Sequence, residues 1–391
     1  MISVEEALRR CLALAQPTGT ETVPLRRAFG RVMAAPATAQ ITQPPFAASA
    51  MDGYALGRAA SAGDSFDVIG EAGAGHAYQG SLSATQAVRI FTGAPLPEGA
   101  IGVVIQEEIA RDGDRITLRA PAAEGDNIRP RGQDFVQGQT LPPRQLRPND
   151  LALLAAMNVA EVCVHRRPVV ALMASGDELV MPGEVPGPDQ IIASNTFALA
   201  ALVEAAGGEA RVLPIARDTE ASLRTVFALT EGADLIVTIG GASVGDHDLV
   251  GKVAADLGLD RAFWQIAMRP GKPLMAGKVL GIPMLGLPGN PVSAIVCGHL
   301  FMVPMLKAMQ ALPPEPTILR ARLGADVAAN GPRDHYMRAR LGVENGQPTI
   351  TAFARQDSAL LTILTEANAL LIRPKDDGPR VAGEMVDYIA L

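Results

Sequence analysis

Three stretches of this sequence combine glycine with groups that bind phosphate or a hard cation. In Ala174-Ser175-Gly176-Asp177-Glu178-Leu179 a glycine turn leaves two adjacent carboxylates. In Gly240-Gly241-Ala242-Ser243-Val244-Gly245-Asp246-His247-Asp248 the glycines let backbone N–H groups come close to a ligand, and such concavities bind anions. Gly286-Leu287-Pro288-Gly289-Asn290-Pro291-Val292-Ser293 has the form of a helix start, with Asn290 as cap and Pro291 at the first helical position. Free N–H groups and a favourable dipole there would face a phosphate. A fourth stretch, Met268-Arg269-Pro270-Gly271-Lys272-Pro273-Leu274, is a stiff turn on which Arg269 and Lys272 can point to one side. Glu178, Asp218 and Asp248 alone would repel an anionic substrate. A Mg2+ ion bridging carboxylates and phosphate removes that conflict.

Each stretch taken singly is an ordinary turn or cap. They gain meaning if they lie at the carboxyl ends of strands in one parallel sheet, where α/β proteins bind ligands. The sequence from Pro168 to Leu312 reads that way. Strands over Pro168–Ala174, Ala210–Ile215, Leu235–Ile239 and Ile282–Leu287 alternate with helices over Ser194–Ala206, Thr219–Thr230, Asp246–Ala255 and Val292–Met309. Continuous apolar strands alternating with helices predict a parallel sheet covered on both faces.

The rest of the chain reads differently. Ser3 followed by Glu6 predicts a capping box opening a short helix through about Ala15. From Pro44 to Val136 the apolar runs Ala87–Phe91, Val103–Gln106 and Arg115–Leu118 stand between Gly, Pro and Asp turns, the signature of a β-rich module. After Leu312-Pro313-Pro314-Glu315-Pro316, runs at Ile318–Leu323, Tyr336–Leu341, Thr349–Ala352 and Ala369–Arg373 predict a small antiparallel β domain. The expected class is α/β and β, multidomain. The expected boundaries are 1–44 with 137–167 as a discontinuous N-terminal linker or dimer domain, 45–136 inserted, 168–312 the α/β domain and 313–391 the last domain.

Bulk properties narrow the function. At 391 residues there is room for about two to four domains. A 48% hydrophobic and 19% charged composition predicts packed cores instead of disorder. With only 4% aromatics, those cores are built mostly from Ala, Val, Leu, Ile and Met. A net charge of −7 and no Lys/Arg block argue against nucleic acid and anionic membrane as partners. Glu5, Glu6, Arg9 and Arg10 interrupt what would be a signal peptide, and no uncharged run is read as a membrane span, so a cytoplasmic protein is expected. Cys11, Cys163 and Cys297 form no CxxC and fit neither a disulfide framework nor a zinc site.

The inserted module has unusual sequences of its own: Ser49-Ala50-Met51-Asp52-Gly53-Tyr54-Ala55, Ile90-Phe91-Thr92-Gly93-Ala94-Pro95-Leu96-Pro97 and Asn127-Ile128-Arg129-Pro130-Arg131-Gly132-Gln133-Asp134. A role for them requires this module to reach the cleft of the α/β domain, within one subunit or across a dimer.

The segments Ser49–Ala55, Phe91–Pro97, Asn127–Asp134, Ser175–Leu179, Gly240–Asp248, Arg269–Pro273 and Leu287–Ala294 span most of the chain. As an ordered set they resemble the MoeA family of molybdopterin molybdenumtransferases, related to the gephyrin E domain. The resemblance implies Mg2+-dependent insertion of molybdate into adenylylated molybdopterin with release of AMP, the final step of molybdenum cofactor formation. It implies a MogA-like α/β sandwich domain that binds molybdopterin, a β-rich inserted domain and a small C-terminal β-barrel. It also implies an elongated homodimer, its active site between the α/β domain of one subunit and the inserted module of the other. A MogA-type adenylyltransferase and molybdoenzyme chaperones are further implied partners.

By matching motif the functional set would be Asp52, Thr92, Glu178, Asp218, Asp248, Arg269 and Lys272, with Mg2+ on Glu178 and Asp248. Phosphates and pterin would lie along Ser175, Gly176, Gly240, Gly241, Ser243, Gly245, Pro288, Gly289, Asn290, Pro291 and Ser293, together with Arg129 and Asp134. Arg269 stands where lysine is frequent in the family, Gln133 where an acid is common and His247 where an aromatic is common. Two other readings stay open: the preceding adenylyl transfer from Mg-ATP to molybdopterin, and a non-catalytic scaffold like the gephyrin E domain.

Overall fold

The computed structural model describes residues 1–240 and 249–391. The chain divides into two units, Thr22–Val164 and Met1–Glu21 joined with His165–Leu391.

In the unit Thr22–Val164, six strands form a mixed sheet in the order Gly102–Ile105, Gly53–Leu56, Gln86–Ile90, Ser65–Ala72, Arg115–Leu118, Ile109–Asp112. The short apolar runs read from the sequence supply three of them. Gly53 opens its strand because its backbone lies against the Val104 carbonyl of the neighbouring strand, and a Cβ there would overlap that oxygen. A separate core of Met33, Leu146, Leu154, Met157 and Val164 gathers around the helix Pro148–Ala156. That helix begins with proline, and Asp150 accepts the Arg147 N–H at 2.9 Å.

The other unit opens with the helix Val4–Leu14. Ser3 caps it, accepting the Glu6 N–H at 3.1 Å. The reciprocal half of the predicted capping box is not made: the Glu6 carboxylate turns to Arg9 and Arg10, at 2.7 and 2.6 Å. The central sheet runs Glu209–Val212, Val169–Ala174, Leu235–Ile239, Ile282–Leu287, Met275–Val279, Asp260–Trp264. Its first four strands are parallel. The last two pair antiparallel, so the sheet is mixed, a correction to the all-parallel expectation. That edge comes from a hairpin: the chain leaves the basic turn at Pro273 and returns through Leu280-Gly281. Helices Asn195–Ala205, Glu220–Ala228 and Leu249–Asp256 cover the faces. The predicted start of the last of these, at Asp246, lies outside the described residues.

One sheet face packs Leu172, Val237 and Leu285 against Leu199, Val203, Val296, Phe301 and Met305, and the other packs Met173, Ile236 and Met284 against Leu223, Phe227 and Val253. Burying each such side chain contributes about 1.5–3 kcal/mol. The apolar helix from Pro291 to Met309 is long enough to cross a membrane, contrary to the expectation of no such run, and 72% of its apolar window is buried inside the protein. It is α-helical over Pro291–Cys297 and Val303–Met309 but π over Gly298–Met302, where the Val303 N–H reaches back to the Gly298 carbonyl. Pro304 follows and has no N–H to continue the α pattern.

The last part closes into a barrel. Leu319–Leu323, Gln347–Ala352, Asp334–Glu344, Ala369–Arg373 and Met385–Ala390 pair in a ring that returns to the first strand. One pairing, Leu319–Leu323 with Gln347–Ala352, is parallel, so the ring is not wholly antiparallel as expected. The barrel is joined to the basic turn through Met268 and Arg269, which pair parallel with Asp334 and His335.

Candidate active site

The loops after three neighbouring parallel strands meet at one end of the sheet. Ser175 N–H donates to the Ile239 carbonyl at 3.2 Å, and Gly240 N–H to the Leu287 carbonyl at 3.1 Å. Asn195, at the start of the covering helix, donates from Nδ2 to the Gly289 carbonyl at 2.7 Å. Over this floor lies a cleft of about 710 Å3. Its lining includes Ser175, Gly176, Glu178, Asp218, Gly240, Pro288, Gly289, Asn290 and Pro291 from the predicted set. Ser293 is buried behind it and does not line it. Gly241, Ser243, Gly245 and Asp248 lie outside the described residues.

The helix start keeps the predicted positions, Asn290 at the N-cap and Pro291 first in the helix, but not the predicted bonds. Asn290 makes no side-chain cap bond. The Val292 N–H is not free for a ligand either, because it donates to the Ser358 carbonyl at 3.1 Å. The first turn is thus fastened to the barrel's Asp357–Ser358 loop.

Glu178 and Asp218 bring exposed carboxylates to the cleft. Gly176, at φ +147°, lies so close beneath the Glu178 carboxyl that a Cβ there would overlap it. Among the described residues no basic side chain is hydrogen-bonded to either carboxylate. No group of three His, Cys, Asp or Glu that could hold a metal occurs among them. Two carboxylates with room for phosphate oxygens and water fit Mg2+ better than a transition metal.

Arg269 and Lys272 are exposed and do not line the cleft, whereas Pro273 of the same turn does. The strongest cationic feature here is one that sequence reasoning missed, Arg338. Its side chain is 0% exposed. Nη2 donates to the Asp357 carbonyl at 3.0 Å, while Nε and Nη1 have no hydrogen-bond partner. Burial, then the charge of Arg269, pulls its pKa down to about 10. Burial, then the charges of Arg269, Arg338, Arg373 and Arg333, hold His335 near 4, and its Nε2 is also unpartnered. A buried guanidinium with idle donors beside a second arginine has the chemistry to receive an oxyanion. Residues 357–359 join Arg338 to the cleft, since Ala359 lines the latter. The signal in the sequence is an arginine inside the otherwise uncharged run from Tyr336 to Ala339.

In the other unit, Asp52 and Thr92 come together from separate segments. Asp52 Oδ1 accepts the Thr92 N–H at 2.7 Å and the Thr92 hydroxyl at 2.8 Å. Arg89 lies between the Tyr54 and Phe91 rings, at 5.0 and 4.9 Å, and donates to the Gly53 carbonyl at 3.3 Å. The Thr92 backbone, then its hydroxyl, then the Arg89 charge hold the Asp52 carboxyl below the usual carboxylate range. A depressed carboxyl pKa contributes stability above the unfolded pKa and loses it as pH falls through the folded one. Thr92→Val removes the hydroxyl donor and keeps the backbone one. The expected result is an upward shift of the Asp52 titration, read by carboxyl-carbon NMR; an unmoved titration would show the backbone N–H acting alone. Arg129 and Asp134 line a separate depression of about 450 Å3 with Gln43, Pro44, Ala48 and Gln133. Arg129 pairs with Ala48, next to Ser49, which ties that depression to the Asp52 segment.

Family models match three consecutive stretches of the chain. These are the MoeA N-terminal region (domain I and II) over residues 2–158, a probable molybdopterin binding domain over 171–308 and the MoeA C-terminal region (domain IV) over 320–391. The molybdopterin molybdenumtransferase of Haemophilus influenzae is 33% identical over 396 residues, covering 99% of this chain and 98% of that protein. That of Nostoc sp. is 34% identical over 370 residues, covering 91% and 85%. The crystal structure of the molybdopterin biosynthesis MoeA protein from Pyrococcus horikoshii OT3 superposes with a TM-score of 0.85 at 27% identity, covering 100% of both chains.

Proposed function

This chain belongs to the MoeA family, and from that premise we propose that it inserts molybdate into adenylylated molybdopterin with release of AMP. The observation that carries the reading is the buried, half-satisfied guanidinium of Arg338 adjoining a glycine-floored cleft that carries two uncommitted carboxylates. Arg338, with Arg269, would take the dianionic molybdate. Ser175, Gly176, Gly240 and Gly289 let phosphate and pterin approach the backbone closely. Glu178 and Asp218 would hold Mg2+, and Asp248 joins them in this proposal. Mg2+ in that position supplies charge neutralisation at the phosphoanhydride. No protein nucleophile is required. The proposal includes a homodimer in which Asp52 and Thr92 serve the second chain's site, and a location in the cytoplasm.

The test supplies the protein with adenylylated molybdopterin, molybdate and Mg2+. AMP release in step with molybdenum loading is expected. A second mixture holds molybdopterin and Mg-ATP without molybdate. Adenylate formed there, with no AMP release in the first, would assign the chain to the preceding adenylyl transfer.

A further inference from the structure

The carboxylate side of the cleft has a support outside the functional set. Glu178 and Asp218 belong to different connections, one leaving the strand Val169–Ala174 and one entering the helix Glu220–Ala228. The two connections touch at Ser175 and Ala216, where the Gly176 N–H donates to the Ala216 carbonyl at 3.1 Å. Past that bridge Arg217 takes over. Its Nη1 donates to the carbonyls of Asp177, at 3.3 Å, and Leu179, at 3.1 Å, the residues on either side of Glu178. The Asp218 N–H donates to Asp177 Oδ1 at 3.2 Å. Arg217 is itself held, its N–H donating to Ser222 Oγ at 2.9 Å in the first turn of the helix. The Glu178 carbonyl accepts the Ile191 N–H at 2.7 Å, so the same fastening reaches the cleft's outer edge.

We infer that Arg217 is a positioning residue for the Glu178–Asp218 pair. It fixes the peptide groups flanking one carboxylate to the backbone that carries the other. The inference rests on the proposed function for what the carboxylates hold. Without Arg217, residues 177–179 would hang from the sheet by the Gly176–Ala216 bond, the Asp177–Asp218 bond and the Ile191 contact. The carboxylates would then need ordering each time a cation bound. A planar guanidinium can serve two carbonyls from a fixed geometry, whereas a lysine ammonium is a point donor on a flexible stem.

The experiment compares Arg217→Met and Arg217→Lys with the unaltered chain, using Mn2+ as the probe cation and amide hydrogen exchange as a second readout. Losing a group that orients a metal ligand typically costs about 10–100-fold in affinity. Arg217→Met is expected to weaken Mn2+ binding by about that factor and to speed exchange at residues 177–179, with an unchanged Tm. Arg217→Lys keeps the charge and is expected to fall between the two. Arg217→Met with Mn2+ affinity and exchange within twofold of the unaltered chain would overturn the inference, and full rescue by lysine would replace positioning with charge alone. Failure of the underlying reading looks different. An unaltered chain that binds Mn2+ no more tightly than the Glu178→Gln, Asp218→Asn double variant would refute the cation site itself, and with it the purpose assigned to Arg217.

Discussion

Arg338→Met is expected to cut molybdate-dependent turnover by about 10²–10³-fold, the loss typical of one charge-stabilising donor, while leaving the fold as stable as before or more so. The guanidinium is fully buried and two of its three nitrogens have no partner. An uncompensated buried charge costs a protein several kcal/mol, and replacing such groups with apolar side chains of similar volume is often neutral or stabilising. The pKa of about 10 gives the same sign. For a base whose folded pKa is depressed, the charged form is penalised in the folded state. That penalty is present at neutral pH and is relieved only as pH rises past the folded pKa. Arg338 therefore destabilises the unliganded fold, and in the proposed function the oxyanion it would bind offsets that cost. Thermal unfolding and a molybdate titration of AMP release check both halves. A large fall in Tm with an unaltered molybdate dependence would place Arg338 among the structural residues.

Glu178→Gln is the second large effect. The substitution keeps shape and removes charge at an exposed position, so stability should change by no more than about 0.5 kcal/mol. If Glu178 holds Mg2+, the half-saturating Mg2+ concentration should rise and turnover fall by about 100-fold, because an amide oxygen is a weaker ligand than a carboxylate for a hard dication. Turnover measured across a Mg2+ titration separates the two quantities. Unchanged values for both would leave Asp218 and Asp248 as the carboxylates that matter.

What could be read from the sequence follows the range of the forces involved. Leu235–Ile239 and Ile282–Leu287 stand at their predicted bounds because each is a continuous apolar run ended by turn residues. The loop after the second lines the cleft through Pro288, Gly289 and Asn290, while all but Gly240 of the loop after the first lies outside the described residues. The antiparallel edge was not legible in the sequence. Asp260–Trp264 begins with charge, and Met275–Val279 follows directly on a basic turn, so neither has the composition of a buried strand. Barrel closure depends on Leu319–Leu323 meeting both Gln347–Ala352 and Met385–Ala390, pairings far apart in sequence that no local pattern encodes. Arg338 was missed because a charged residue in a strand is ordinarily assigned to the solvent face. Asn290 holds the predicted N-cap position without a side-chain cap bond, and the Val292 N–H two residues on finds its partner in Ser358, 66 positions along the chain, which no local pattern encodes.

The π turn at Gly298–Met302 sets a phase relation within the helix that carries the cleft at one end and the core at the other. A π turn amounts to one residue inserted into an α-helix, and one residue corresponds to about 100° of rotation. The azimuth of Pro291 and Val292 is thus decoupled from that of Met305, Leu306 and Met309. Excising a single residue from this turn would preserve hydropathy and length to within one position. It would also restore the plain α repeat and keep both ends facing as they do, whereas losing one residue from either α segment would swing the ends about 100° out of step, so deletions outside the turn act as angular errors, not linear ones.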